Sequence, residues 1–187
     1  MSVRTVHVQK ESIYFVTFTC YQWLPLIDKT KLYDFIYRWF DRISQQGISV
    51  LGYVIMPNHI HLLLYYPDLP KSLNYYIGEG KRFMAYELIK RLKNSPDNNY
   101  LRLLESGVSL KQSGTGQIHR VFINSFDAKE CFSKAMTEQK LNYIHENPVS
   151  GKWKLVDDYV SYDHSSAGFY ELGETTNYPV KHYNYYY

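Results

Sequence analysis

The chain has few cysteines and no long apolar run, and each shortage narrows what it can be. Cys20 and Cys131 are the only cysteines, so we expect two reduced thiols instead of a disulfide framework, and the pair makes no CxxC metal site. No apolar stretch approaches the roughly 20 residues of a membrane span, and residues 1–12 contain no apolar signal core. We therefore expect a cytoplasmic protein with no membrane partner.

Charge and composition are those of an ordinary globular protein, except for tyrosine. The formal net charge of +3 permits a phosphate-bearing partner without requiring one. A chain of 187 residues, 45% of them hydrophobic, is expected to form one domain with a substantial core. The 20 tyrosines exceed ordinary use, so most of them must be structural, and none is catalytic merely because it is present.

Periodicity and turn residues predict an α+β fold. The predicted elements are a strand over 12–23, a helix over 31–46, strands over 48–56 and 59–66, a helix over 72–93, a strand over 118–126 and a helix over 128–146. Residues 94–116 read as a polar loop insertion with room for a short ordered piece, and a C-terminal extension begins at about 150. This order favours a ferredoxin-like antiparallel sheet with helices packed on one face.

Two histidines stand out in the apolar stretch VIMPNHIHLLL, residues 54–64. Side chains alternate along a strand, so His59, His61 and Leu63 share one face and lie roughly 6–7 Å apart from one to the next. Imidazoles at this spacing can bind one ion, but they can equally be two unrelated surface histidines. A histidine-triad nucleotide hydrolase would need a third histidine at Leu63, which argues against that class.

The last predicted helix carries a second unusual pair. Tyr143 and Asn147 are spaced i, i+4 and so lie on one helix face. Tyr143 borders the apolar positions, so a half-buried core tyrosine is the alternative interpretation, and Asn147 before Pro148 could simply end the helix. His145 lies off this face and is expected to be exposed or to cap the helix.

Together, the two stretches suggest phosphoryl chemistry. Two histidines leave a divalent cation short of ligands, and Asn147 could supply a third. Such an ion would neutralise charge on a scissile phosphate, which Tyr143 could then attack. A phenol with its ordinary pKa near 10 needs activation of this kind.

These motifs resemble a known family. VIMPNHIHLLL is similar to the His-hydrophobic-His metal motif of single-tyrosine HUH transposases. QKLNYIHENPVSGKW, followed by DYVSYDHSSAGFY, resembles the C-terminal signature of REP-associated tyrosine transposases. The resemblance runs from about residue 13 to residue 170.

The resemblance implies a ferredoxin-like domain that cleaves and rejoins single-stranded DNA beside hairpins formed by REP-like inverted repeats. It implies Tyr143 as the nucleophile, a 5′-phosphotyrosine intermediate, and Mg²⁺ or Mn²⁺ held by His59, His61 and Asn147. The substrate would be nucleoid DNA, and the active species a monomer or a homodimer. The alternative is a domesticated protein that binds single-stranded nucleic acid without catalysis.

Basic residues suggest where DNA would lie. They are either phosphate contacts or an ordinary solvated surface. The candidates are Lys81, Arg82, Lys90, Arg91 and Arg120. Aromatic side chains could also stack on unpaired bases, but nothing in the sequence selects which ones.

Overall fold

The computed structural model describes residues 11–95, 99–109, 113–114, 116–151 and 153–187. The strands are β1 (Ser12–Thr19), β2 (Ser49–Ile55), β3 (His59–Tyr66) and β4 (Asp127–Cys131). The helices are α1 (Leu26–Lys29), α2 (Tyr33–Gln45), α3 (Leu73–Lys93), α4 (Asn99–Ser106), α5 (Lys134–Glu146) and α6 (Ala167–Leu172). Short 3-10 turns lie at Tyr21–Trp23, Asn147–Val149, Tyr159–Ser161 and Tyr183–Tyr186.

The four strands form one antiparallel sheet in the order β2-β3-β1-β4. Crossover helices join β1 to β2 and β3 to β4, which is the ferredoxin-like β-α-β-β-α-β arrangement. The predicted α+β class and antiparallel sheet are confirmed. β1 and β3 are the central strands, so most of their residues have a paired strand on both sides.

The larger core lies between one sheet face and the helices α2 and α3. Alternate residues of β3, Ile60, Leu62 and Leu64, are fully buried there against the apolar stripes of both helices. Ser72 caps α3 by accepting from the Tyr75 amide nitrogen at 3.3 Å, which is a standard helix start. The predicted packing of helices on this face therefore holds for α2 and α3.

The opposite face is also covered, which the prediction of helices on one face did not include. Leu51 and Leu63 are apolar and fully buried on this side, and leaving them in water would be unfavourable. Leu141 and Ile144 of α5 pack on them. At Gly52 a Cβ atom would lie 2.5 Å from Leu141 Cδ1, so the missing side chain lets α5 approach the sheet closely.

The prediction for the fourth strand was wrong in position. Residues 118–126 form no strand apart from one bridge at Phe122, and β4 occupies residues 127–131, where a helix start was expected. Asp127 and Glu130 resemble a capping box, but this segment pairs with β1 instead, with Ile13 opposite Cys131. Long-range pairing overrides the helix preference of Ala, Lys and Glu here. Ser133 caps α5, accepting from the Met136 amide nitrogen.

The C-terminal segment covers the free edge of β2. The Ile55 amide nitrogen donates to the His164 carbonyl oxygen at 2.8 Å, and the Lys181 nitrogen donates to the Val50 carbonyl oxygen at 3.0 Å. Tyrosine hydroxyls reach the same strand, since Tyr170 donates to the Leu51 carbonyl oxygen at 2.7 Å. Satisfying an edge strand in this way prevents pairing with another chain, and it gives several of the tyrosines a structural role.

The predicted insertion contains an ordered piece. Helix α4 falls within it, and Leu104 of that helix is fully buried. The insertion residues 96–98, 110–112 and 115 lie outside the described residues. Across the described part of the chain, the helices are too short or too polar to span a bilayer.

Ser166 is predicted to be a key hydrogen-bonding residue between the C-terminal segment and the sheet. Its hydroxyl accepts from the Tyr53 amide nitrogen at 2.9 Å and lies 2.9 Å from His145 Nε2, with no exposure. Ser166→Ala leaves these groups buried without a partner and should lower the free energy of unfolding by about 1–3 kcal/mol. Urea unfolding measures the loss, and Ser161→Ala, at an exposed serine, should leave stability nearly unchanged.

Candidate active site

The turn between β2 and β3 orients His59. Asn58 in this turn is fully buried, and its Nδ2 donates to the Trp23 carbonyl oxygen at 3.1 Å. The amide oxygen therefore faces His59, whose Nδ1 lies 2.7 Å away. Because an amide oxygen only accepts hydrogen bonds, Nδ1 carries the imidazole proton and Nε2 keeps a free lone pair.

A second amide oxygen faces that lone pair. Asn147 follows α5 directly, and its Nδ2 donates to the Tyr143 carbonyl oxygen at 2.7 Å. Its Oδ1 consequently lies 3.4 Å from His59 Nε2. Two acceptors that face one another without a proton between them repel, and binding a cation would remove that repulsion.

His61 completes the pair on the same strand face. Its Nδ1 lies 2.6 Å from the Thr17 hydroxyl oxygen, and its ring lies 4.7 Å from that of His59, centroid to centroid. Burial, and then the neighbouring His59, lower the pKa of His61 to about 3, although Asn147 opposes the shift. Burial also lowers the pKa of His59. Both rings are neutral at pH 7, which is the form that binds metals.

Tyr143 stands beside the histidines with its side chain 52% exposed. Its ring centroid lies 5.2 Å from that of His61, and it contacts Phe15 edge-on at 5.8 Å. A half-exposed tyrosine at a pocket is accessible to a large substrate, unlike a core tyrosine. His59, His61, Asn147 and Tyr143 thus line one pocket.

Charged residues that sequence reasoning missed also line this pocket. Lys129, Lys140 and Asp127 contribute two positive charges and one negative charge. The Lys140 ammonium lies 5.1 Å from the centroid of the Phe15 ring, which itself stacks on His61. The i, i+3 spacing of Lys140 and Tyr143 places both on one helix face, so the sequence could have indicated that Lys140 lies near the site. Lys129 was hidden by the wrong placement of β4.

The structure assigns internal roles to two of the predicted DNA contacts. Lys81 is 8% exposed, and its ammonium donates to the carbonyl oxygens of residues 123, 124 and 125. Arg91 bonds Asp34, Glu87 and the carbonyl oxygens of residues 30 and 31. Because their donors are bonded to other residues of the chain, both side chains link neighbouring segments of the fold.

The remaining three candidates do not line the pocket. Arg82 and Lys90 are exposed on α3, which lies across the sheet from the histidines. Arg120 lies over the Tyr21 ring, with its guanidinium carbon 4.8 Å from the ring centroid. The structure therefore brings together the predicted catalytic and metal residues but not the predicted basic ones.

The expectation for His145 was wrong. The residue is 2% exposed, bonds the Ser166 hydroxyl, and contacts Tyr170. Burial lowers its pKa to about 4. Its partner lies 21 positions away in the chain, so local periodicity could not reveal the burial.

Comparison with known proteins identifies the fold. No protein-family model matches the chain, and no curated protein matches it. A solved REP-associated tyrosine transposase bound to a REP hairpin matches with a TM-score of 0.63 at 15% identity, over 89% of this chain and 82% of its own. The present chain shares the fold of that transposase. The predicted resemblance is thereby confirmed at the level of fold.

A second solved structure also matches. It comes from Deinococcus radiodurans and is ascribed to a transposase, with a TM-score of 0.40 and 16% identity. The match covers 77% of this chain and 95% of the other.

The buried histidines make stability depend on pH. The unfolded chain takes up protons on His59, His61 and His145 near pH 6.5, whereas their pKa values are lowered in the folded state. Below pH 6.5 the unfolded state therefore binds more protons. The free energy of unfolding should fall as pH drops from 6.5 towards 4, by up to about 1.4 kcal/mol per pH unit for His61 and for His145, and the lowered pKa of His59 adds to the fall in the same direction.

Urea unfolding across this range measures that slope. His145→Gln removes one of the three groups and should reduce the slope by that residue's share. A slope identical to that of the wild type would contradict the assignment of a neutral buried imidazole at this position.

Proposed function

We propose that the protein is a metal-dependent transesterase that cleaves and rejoins single-stranded DNA next to hairpins. The observation that carries the proposal is the meeting of Tyr143 with His59, His61 and Asn147 in one open pocket. A nucleic-acid-binding module has no need for this combination. The shared fold with a transposase bound to a REP hairpin supports the same class of substrate.

The donor set suits a divalent cation. His59 Nε2 and the Asn147 amide oxygen face each other at 3.4 Å without a proton between them, and His61 adds a neutral imidazole. Among the described residues, no three His, Cys, Asp or Glu side chains form a metal cluster. The third ligand that we propose is the Asn147 amide oxygen, because it faces His59 Nε2. Mixed nitrogen and oxygen ligands accommodate Mg²⁺ or Mn²⁺. The ion would neutralise charge on the scissile phosphate.

The chain's own residues supply the remaining chemistry. The Tyr143 phenol oxygen attacks phosphorus, its proton leaves to solvent, and a bond to a 5′-phosphate forms. The bond to the 3′ oxygen breaks, and that oxygen takes up a proton. Lys140 and Lys129 hold the phosphate charge in the pocket. One ester replaces another, so rejoining needs no ATP.

The covalent intermediate is the first test. Wild-type protein, Mn²⁺ and single-stranded DNA hairpins copied from inverted repeats beside the gene should give a protein–DNA adduct that survives denaturing electrophoresis. Tyr143→Phe should abolish the adduct because it removes the nucleophilic oxygen. Tyr185→Phe, at a tyrosine that is 81% exposed, is the matched control and should retain it.

Two results would overturn this mechanism. One is an adduct that persists in Tyr143→Phe, and the other is a wild-type protein that forms none with any hairpin. DNA binding without an adduct would instead favour the non-catalytic binding module.

Metal binding can be tested without catalysis. Mn²⁺ at a hundredfold excess over its Kd should stabilise the wild-type protein by about 2.7 kcal/mol, seen as a higher Tm. His61→Ala and Asn147→Ala should lose most of this Mn²⁺-dependent rise, because each removes a ligand. Asn142→Ala, at an exposed position of α5, should keep it. An equal rise in all four proteins would contradict the assigned ligands.

A further inference from the structure

Trp23 is an exposed aromatic residue on the rim of the candidate active site. Its side chain is 54% exposed and lines the same pocket as Tyr143. The indole meets the His59 ring edge-on, with centroids 5.8 Å apart. The mechanism above does not use Trp23, so its exposure needs another explanation.

The backbone holds this indole in a costly conformation. Gln22 and Trp23 have φ values of 51° and 57°, a left-handed region that bulky residues rarely adopt. The Trp23 amide nitrogen donates to the Cys20 carbonyl oxygen at 3.1 Å, and its carbonyl oxygen accepts from Asn58 at 3.1 Å. Asn58 is itself completely buried. The ring is therefore presented to solvent on a backbone fixed on both sides of the residue.

The pocket beside Trp23 combines an aromatic face with positive charge. Lys129 and Lys140 line it together with Trp23. A single-stranded nucleotide has the complementary parts, namely a flat base and a charged phosphate. Stacking on aromatic rings next to a basic groove is the usual way in which proteins hold unpaired bases.

Trp23 and the proposed nucleophile lie on either side of the histidines. Ring contacts lead from Trp23 to His59, from His59 to His61 at 4.7 Å, and from His61 to Tyr143 at 5.2 Å. A strand whose phosphate lies at the histidines would thus have one neighbouring base within reach of the indole.

We propose that Trp23 stacks on the unpaired nucleobase adjacent to the scissile phosphate and so positions that phosphate for Tyr143. This inference rests on the proposed function and makes Trp23 a positioning residue, not a catalytic one. It also selects one aromatic residue where the sequence offered many.

The test pairs a protein change with a DNA change in a background that cannot cleave. Tyr143→Phe protein is titrated with labelled hairpin DNA in which each base of the single-stranded arm is removed in turn. One abasic position should weaken binding about tenfold, consistent with the loss of one stacked base. In Tyr143→Phe/Trp23→Leu, which keeps apolar bulk without the indole, binding to intact DNA should fall similarly and that abasic position should have no further effect.

Fluorescence supplies a second readout. Intact DNA should quench the Trp23 contribution to emission, and DNA with the critical abasic site should not. Tyr86→Ala, at an aromatic residue that is 65% exposed on α3, is the matched control and should keep both the affinity and the abasic sensitivity.

The outcomes separate this inference from the proposed function. If Trp23→Leu and each abasic site lower the DNA affinity by separate, additive amounts, Trp23 does not stack on any of these bases. That result would overturn the stacking role and leave the transesterase proposal intact. Failure of the Tyr143→Phe protein to bind any hairpin would overturn the proposed function, and the role of Trp23 with it.

Discussion

The orientation of His59 and the position of Trp23 both depend on the buried side-chain amide of Asn58. Its backbone oxygen accepts from the Cys20 nitrogen at 2.8 Å and so ties the turn to the end of β1. Its side chain holds the Trp23 carbonyl oxygen with one end and His59 Nδ1 with the other. If the side-chain amide were lost, the Trp23 carbonyl oxygen and the Nδ1 of the buried His59 would each lose this hydrogen-bond partner. The Asn58 side chain therefore sets the tautomer of His59, a ligand in the metal site that we propose, and helps to fix the position of the exposed Trp23 indole.

The electrostatics of the site follow from burial without a charged partner. His59 and His61 are 6% and 5% exposed, and no carboxylate bonds either ring among the described contacts. Such rings stay neutral because a buried charge is costly. The positive charge needed for a phosphate must then come from elsewhere, and Lys129, Lys140 and a bound cation are the sources we propose.

Much of the fold was predictable because its patterns are local. The apolar alternation of β3 and the helical spacing of α2 and α3 depend on neighbouring residues, and the structure has these elements close to their predicted bounds. The prediction for β4 failed because Ala128, Lys129 and Glu130 favour a helix locally, whereas the segment forms a strand by pairing with β1. Here the pairing of residues more than 100 positions apart in the chain determined the secondary structure.

The same distinction applies to the site. Histidines two apart on one strand face, and a tyrosine one turn before an asparagine, are spacings that sequence displays directly. By contrast, whether a lysine faces solvent depends on distant partners. Lys81 turned inward onto carbonyl oxygens some 42 residues away, and Trp23 gained its place from Asn58, 35 residues later.

The cover over β2 has a consequence for how the chain is made. Ribosomes deliver β2 early, but His164 and Lys181, which satisfy its free edge, follow more than 100 residues later. At the usual pace of translation, this edge stays open on the nascent chain for roughly ten seconds. If translation stopped in that interval, the released chain would have unpaired backbone N–H and C=O groups along β2. Such an edge strand can pair with other incomplete chains.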